Sequence, residues 1–383
     1  MRVFRSFIIV VLFSVTLSGC WGMREIEHMN YLNSVGIDYR DGKIVFYGQI
    51  ISYFNVAKKE GGDPGQKQII STMKAEGDTF DKAVFNMYTT TQQRVAWSHV
   101  KALVFTEQAL KKNIIEQVFD VWDRYYENRY TIWIFATKEP IEKVLEAKPA
   151  QNISVVYSQL NDPTNVYSQS SVVTPIYLYD FMRTWYEKSQ SLKIPYLTID
   201  ENWKENGKML PKLQINGIGV FQNGKYKGYI PRIRLHGLRW LTEKTDRTPL
   251  YVKENGKSAD ESTLVMENVK PKIKAEVQNG KAEFKIEVRT KGNIPQLLQP
   301  LSQQKLEKLA AAKIKAEIEQ TYMEGLRLDS DLLGLSEALF RSKPKQWHEL
   351  ARNGKLPLEP DSLVSIEVKA SILSGGISKI KQE

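Results

Sequence analysis

Cys20 is the only cysteine in 383 residues, and it sits directly behind a short apolar run. The chain opens with Arg2 and Arg5 and no acid, and Phe7 to Val15 then reads Phe-Ile-Ile-Val-Val-Leu-Phe-Ser-Val. A bilayer-spanning helix needs about 20 apolar residues, so this run has the length of a signal peptide. It closes on Leu17-Ser18-Gly19-Cys20, a bacterial lipobox. Small residues at Ser18 and Gly19 let the chain enter a peptidase, and the Cys20 thiol takes a diacylglyceryl group. These residues predict a lipoprotein signal peptide over 1–19 and a mature chain starting at acylated, palmitate-bearing Cys20. That chain is held to the outer face of the cell membrane, stably where two or more acyl chains insert. A lone cysteine also excludes an intramolecular disulfide and any multi-thiolate zinc or iron–sulfur site.

The full chain has ordinary globular composition, 42% hydrophobic and 26% charged. Its length suits two or three domains. The net charge of +10 is spread without a dense basic run, which predicts a solvated surface facing anionic lipid rather than a nucleic-acid site. Leu32–Tyr39 and Lys43–Phe54 read as a hairpin around Asp41-Gly42, and Asn55–Gln68 as a loop. Asp78 and Thr79 are N-cap candidates for a helix through Thr91. A strand over His99–Thr106, one long helix from Leu110 to Tyr125 and a doubly covered strand over Tyr130–Ala136 follow. Pro140 opens a short helix, Lys148–Ser171 reads as polar surface connection, and Thr174-Pro175 caps a helix to Glu187. On that helix the stripe Tyr179, Met182, Trp185 and Tyr186 reads as core.

Beyond Leu213 two Asn-Gly pairs, Asn223-Gly224 and Asn279-Gly280, each sit between strand-like runs. A helix over Leu306–Tyr322 and an alternating strand over Val364–Ile372 close the chain. The pattern is α+β, multi-domain, with mixed or antiparallel sheets and packed helices. The divisions are an N-terminal α+β domain over 20–198 and a C-terminal α+β region over 199–383. The latter splits near 242–262 into a small central hairpin domain and a C-terminal domain.

The sequence holds little that points to chemistry. His28, His99, His236 and His348 are scattered, with no metal-ligand spacing. No nucleophile elbow, P-loop or complete dinucleotide fingerprint is present; Gly217-Ile218-Gly219 runs into a hairpin. Ser98 and His99, read as part of a strand, point to opposite faces and so form no nucleophile–base pair. Asp38 with Asp41, and Asp329 with Asp331, read as turn and cap residues. The expectation is a non-enzyme without cofactor or metal.

Gly19-Cys20-Trp21, Arg24-Glu25-Ile26 and Gly36-Ile37-Asp38 resemble the Ger(x)C family of spore germination lipoproteins. The likeness continues through Gly77-x-Thr79 with Ala83, Ser98-His99-x-Lys101, Gly217-x-x-Val220-Phe221, Gly228, Gly237-x-x-Trp240, Asp331-x-x-Gly334 and Trp347. The chain departs at Gly334-Leu335, where the family has a glycine-aromatic step. It departs again where Asn353-Gly354-Lys355 replaces a second tryptophan. The resemblance implies a GerC-like fold and the C subunit of a nutrient-germinant receptor at the spore inner membrane. It also implies partnership with a GerA-type membrane A subunit and a transporter-like B subunit. The alternative reading is a lipid-anchored extracytoplasmic solute-binding protein, which would show two parallel-sheet lobes around a ligand cleft.

Overall fold

The computed structural model describes residues 29–51, 69–151, 153–255 and 260–374. The lipobox, Cys20, His28 and the Asn55–Gln68 loop lie outside them.

β1 (Met29–Arg40) and β2 (Lys43–Ile51) form the first hairpin, with Asp41 at φ 50° and Gly42 at φ 81° making the turn. β3 (Ile70–Gly77) adds to β2, and Thr79 caps α1 (Phe80–Tyr88) by accepting from Lys82 N. β4 (Arg94–Ala96) and β5 (Ala102–Thr106) both pair parallel to β1. The single helix expected over Leu110–Tyr125 is two, α2 (Glu107–Lys111) and α3 (Ile114–Arg124). Asn113 between them sits at φ 55°, left-handed backbone that asparagine tolerates and a helix cannot contain. β6 (Trp133–Thr137) is buried along its whole length, and α4 (Ile141–Glu146) follows Pro140.

The stretch 148–171 is not a surface connection. It carries α5 (Thr164–Gln169), and its Val155, Leu160 and Asn161 are buried. Asn161 accepts from Asn33 Nδ2 (3.2 Å) and Ser34 Oγ (3.1 Å) on β1 and donates to Val155 O (2.8 Å), so its polarity is spent inside. α6 (Leu178–Tyr186) starts later than Thr174-Pro175 implies. Ile176 and Leu178 bond the backbone of β6 and its approach (Ile134 N to Ile176 O, 3.2 Å; Leu178 N to Ile132 O, 2.8 Å), which keeps that entry extended. Its aromatic stripe is only partly core: Met182 is buried, whereas Tyr179 and Tyr186 are exposed.

β7 (Leu192–Asp200), the two-residue strands β8 (Lys204–Glu205) and β9 (Lys208–Met209), β10 (Lys212–Gln222) and β11 (Lys225–Pro231) follow. The large sheet runs β11-β10-β7-β6-β5-β1-β2-β3, with β4 beside β1. α1, α3 and α6 cover one face; α4 and the segment around Leu160 and Val172 cover the other. A division at 198/199 therefore cuts between hydrogen-bonded neighbours, since β10 pairs with β7 along both strands.

The second sheet, β12-β13-β14-β15, comprises β12 (Thr248–Val252), β13 (Ser262–Gln278), β14 (Lys281–Gln296) and β15 (Leu363–Ser374). Asn279 (φ 51°) and Gly280 (φ 75°) turn the long hairpin, and β15 joins it parallel to β14. α7 (Gln303–Arg327), α8 (Leu335–Ser342) and α9 (Pro344–Leu350) pack on one face through Leu306, Ile314, Ile318, Leu335 and Trp347.

Candidate functional site

The residues singled out for chemistry serve as structural nodes in the fold. Asp38 is a buried sheet residue rather than a turn residue, accepting from Tyr39 N (2.8 Å), Arg40 and the Thr106 hydroxyl. Thr106 in turn caps α2 through Ala109 N (3.2 Å), so the carboxylate orients a helix start. Asp41 occupies the β1–β2 turn. Ser98 and His99 lie in a turn, not a strand, and Ser98 Oγ is 3.1 Å from His99 Nδ1, so they do make contact. The ring meets Tyr31 edge-on at 4.8 Å, and burial, helped by Arg129 and Lys101, lowers its pKa. The contact joins sequence neighbours across one turn, which positions His99 against β1. Among the described residues no group of three or more His, Cys, Asp or Glu could hold a metal ion.

Asp331 is the cap residue expected. Its carboxylate takes Leu333 N (3.1 Å), Gly334 N (2.9 Å) and Ser336 N (2.7 Å) at the start of α8. Ser336 Oγ then accepts from Trp347 Nε1 (2.9 Å). Asp331, Gly334 and Trp347 are thus one cap-and-clamp unit between α8 and α9, with Gly334 at φ 78°. Burial pushes the Asp331 carboxyl up and the Lys193 ammonium of β7 down. Lys193 Nζ reaches across from the large sheet to Leu332 O (3.0 Å), and Asp331 N donates to Ser191 Oγ (2.8 Å). The Asn353-Gly354-Lys355 departure is a tight turn (φ 51° and 74°) docked on the large sheet, where Asn223 Nδ2 donates to Asn353 O (2.9 Å).

A third node was not legible as a site. Arg239 and Glu317, both almost fully buried, form a two-bonded pair at 2.9 Å each, and Trp240 Nε1 donates to the same carboxylate at 2.7 Å. Arg239 also donates to Thr248 Oγ1 (2.8 Å) and Pro249 O (2.9 Å), and Thr248 Oγ1 to Ser171 O (3.0 Å). Helix α7, the linker over 232–248 and the large sheet's 171 segment meet in this one network. A Cβ at Gly237 would lie 2.5 Å from Glu317 O, so only glycine allows the linker to close on α7. His236 stands 3.9 Å from Glu317, yet burial, aided by Arg239, brings its pKa down to about 4. The readable signal was Glu317 itself, a carboxylate beside Ile314 and Ile318 on the apolar stripe of α7.

A cavity of about 400 Å³ lies between α1 and α3, lined by Phe80, Val84, Tyr88, Trp97 and Trp122. Its rim carries Asp81 and an Arg94–Glu127 pair (3.5 Å). It lies within the first unit; cavities of about 610 and 590 Å³ lie where the two units meet, the former lined by Tyr177, Tyr179 and Glu267, the latter by Ser191, Asp331 and Leu358. The second sheet is antiparallel except for β15, unlike a paired parallel-sheet binding protein.

Two family models match in tandem: the spore germination protein N-terminal domain over residues 22–199, and the spore germination B3/GerAC-like C-terminal domain over 216–376. The chain belongs to the GerAC-like spore germination family. It is 25% identical to spore germination protein KC of Bacillus subtilis, over 97% of this chain and 95% of that one. It is 21% identical to the putative spore germination protein YfkR of the same organism, over 94% and 95%. The crystal structure of the GerBC protein superimposes with a TM-score of 0.53 at 16% identity, covering 91% of this chain and all of that one. The fold is therefore GerC-like. The matched regions break between 199 and 216, a sequence division that the large sheet spans by taking in β10 and β11.

Proposed function

We propose that this chain is the lipid-anchored, non-enzymatic docking subunit of a spore nutrient-germinant receptor. It works with a GerA-type polytopic A subunit and a transporter-like B subunit on the outer face of the spore inner membrane. The observation that carries this reading is the tandem match of both family models across nearly the whole chain. The local chemistry supports it. Asp38, Asp331 and the Arg239–Glu317 pair are spent on caps and on joining the two sheets, an arrangement suited to a rigid surface. Acylation at Cys20 would confine that surface to the membrane plane, where effective concentration replaces intrinsic affinity.

The test is recovery of the acylated, tagged chain from detergent-solubilised spore membranes. The reading expects a polytopic protein and a transporter-like protein to co-purify in constant ratio. Recovery of the chain alone, or of a soluble transporter ligand bound to it, would contradict it.

A further inference from the structure

The start of β1 marks one end of the large sheet. Met29 pairs with Arg94, and Tyr31, Ile51 and Ile70 share one row of the register. Lys101, Arg129 and Tyr130 lie where β5 and β6 begin, and Tyr179 N bonds Tyr130 O (3.1 Å), which brings α6 to the same end. This end is unusually aromatic for a surface. Tyr126 is 94% exposed, Tyr125 and Tyr179 are about half exposed, and Ile69, entering the edge strand β3, is 64% exposed. Lys101 and Arg129 are exposed among them, while Arg94 pairs with Glu127 and Asp123 accepts from the Tyr130 hydroxyl (2.9 Å). Tyrosine with flanking basic side chains suits the headgroup layer of a bilayer, which takes the ring on one side and wets the hydroxyl on the other.

The chain leaves the described residues at this same end. Eight residues separate Cys20 from Met29, and the nine Cα-to-Cα steps reach at most about 30 Å even when fully extended. We propose that this end lies flat against the bilayer, with Tyr125, Tyr126 and Tyr179 in the headgroup layer and Lys101 and Arg129 towards anionic lipid phosphates. The other end of the same sheet, the Asp41-Gly42 turn, lies the length of β1 away, about 35 Å, and is then directed away from the bilayer. The inference rests on the anchoring at Cys20 in the proposed function.

The test uses the full chain, acylated in a bacterial host and reconstituted into vesicles of equal parts phosphatidylglycerol and phosphatidylethanolamine. Because acylation occupies the one native thiol, Tyr126→Cys and Lys43→Cys each supply a single exposed site for a polarity-sensitive fluorophore. Mass measurement of the acyl group reads the anchoring separately. The proposal expects the probe at 126 to be blue-shifted and quenched several-fold more by headgroup-labelled lipid than the probe at 43. Acylated protein whose two probes are quenched alike, or with 43 the more quenched, overturns the docked end while leaving the anchor standing. A chain without acyl mass overturns the anchoring and this proposal with it.

Discussion

Glu317 is the residue on which the junction between the sheets turns. Its carboxylate satisfies a buried guanidinium and an indole at once, and removing it leaves Arg239 charged and enclosed. Breaking one partner of a buried pair costs about 3–5 kcal/mol. Glu317→Ala should lower stability by that amount in denaturant unfolding, and Glu317→Gln, which keeps an acceptor for Trp240, by less. His236 adds a pH dependence of defined sign. Its folded pKa of about 4 lies below the unfolded value near 6.5, so the unfolded chain binds more protons between those values. Stability is therefore full above about pH 6.5 and falls as the pH drops towards 4, by on the order of 2–3 kcal/mol. Relative to the non-titrating His236→Gln, the wild type should lose stability progressively as the pH falls from about 6.5 towards 4, so the gap between their unfolding midpoints should change across that range; parallel curves would refute the assignment. Gly237 and Trp240 were visible in sequence as a spaced pair, but their partner lies 77 residues beyond Trp240. No local pattern announces such a contact.

At the scale of elements, the signals that held were local ones. Asn-Gly and Asp-Gly turns need positive φ at two successive residues, and the Asp41, Asn223 and Asn279 pairs all adopt it. Gly280 shows the reason in its simplest form, because a Cβ there would meet nothing within 4 Å and any penalty is backbone strain. Gly280→Val should cost about 1–3 kcal/mol in the melting of the second sheet, and an unchanged midpoint would contradict the turn. What could not be read was pairing between distant strands. The parallel run β1-β5-β6-β7 and the β14–β15 pair join segments far apart in the chain, which hydrophobic alternation alone does not specify. The break at Asn113 escaped because the apolar spacing continues across it in sequence while the backbone does not. The 148–171 stretch misled for the opposite reason. Its Asn161 is polar, yet it finds partners on β1 more than a hundred residues away.

In the whole molecule, two unlike sheets are joined by at least three sets of polar contacts: Arg239–Glu317–Thr248–Ser171, Lys193–Leu332 with Ser191–Asp331, and Asn223–Asn353. Leu332 also packs into the large sheet's second core. On the proposed reading such a body would serve as docking surface, and its value would depend on being held beside partner subunits. Tethering supplies effective concentration, so an unacylated chain should be folded but weak in function. The direct measurement is the germination response of spores to a single nutrient, followed by loss of optical density. Deletion of this chain should slow that response, the wild type should restore it, and Cys20→Ala should restore it poorly while yielding an uncleaved precursor without palmitate label. Full rescue by unlabelled Cys20→Ala, or an unchanged response after deletion to every nutrient that triggers germination, would contradict the account.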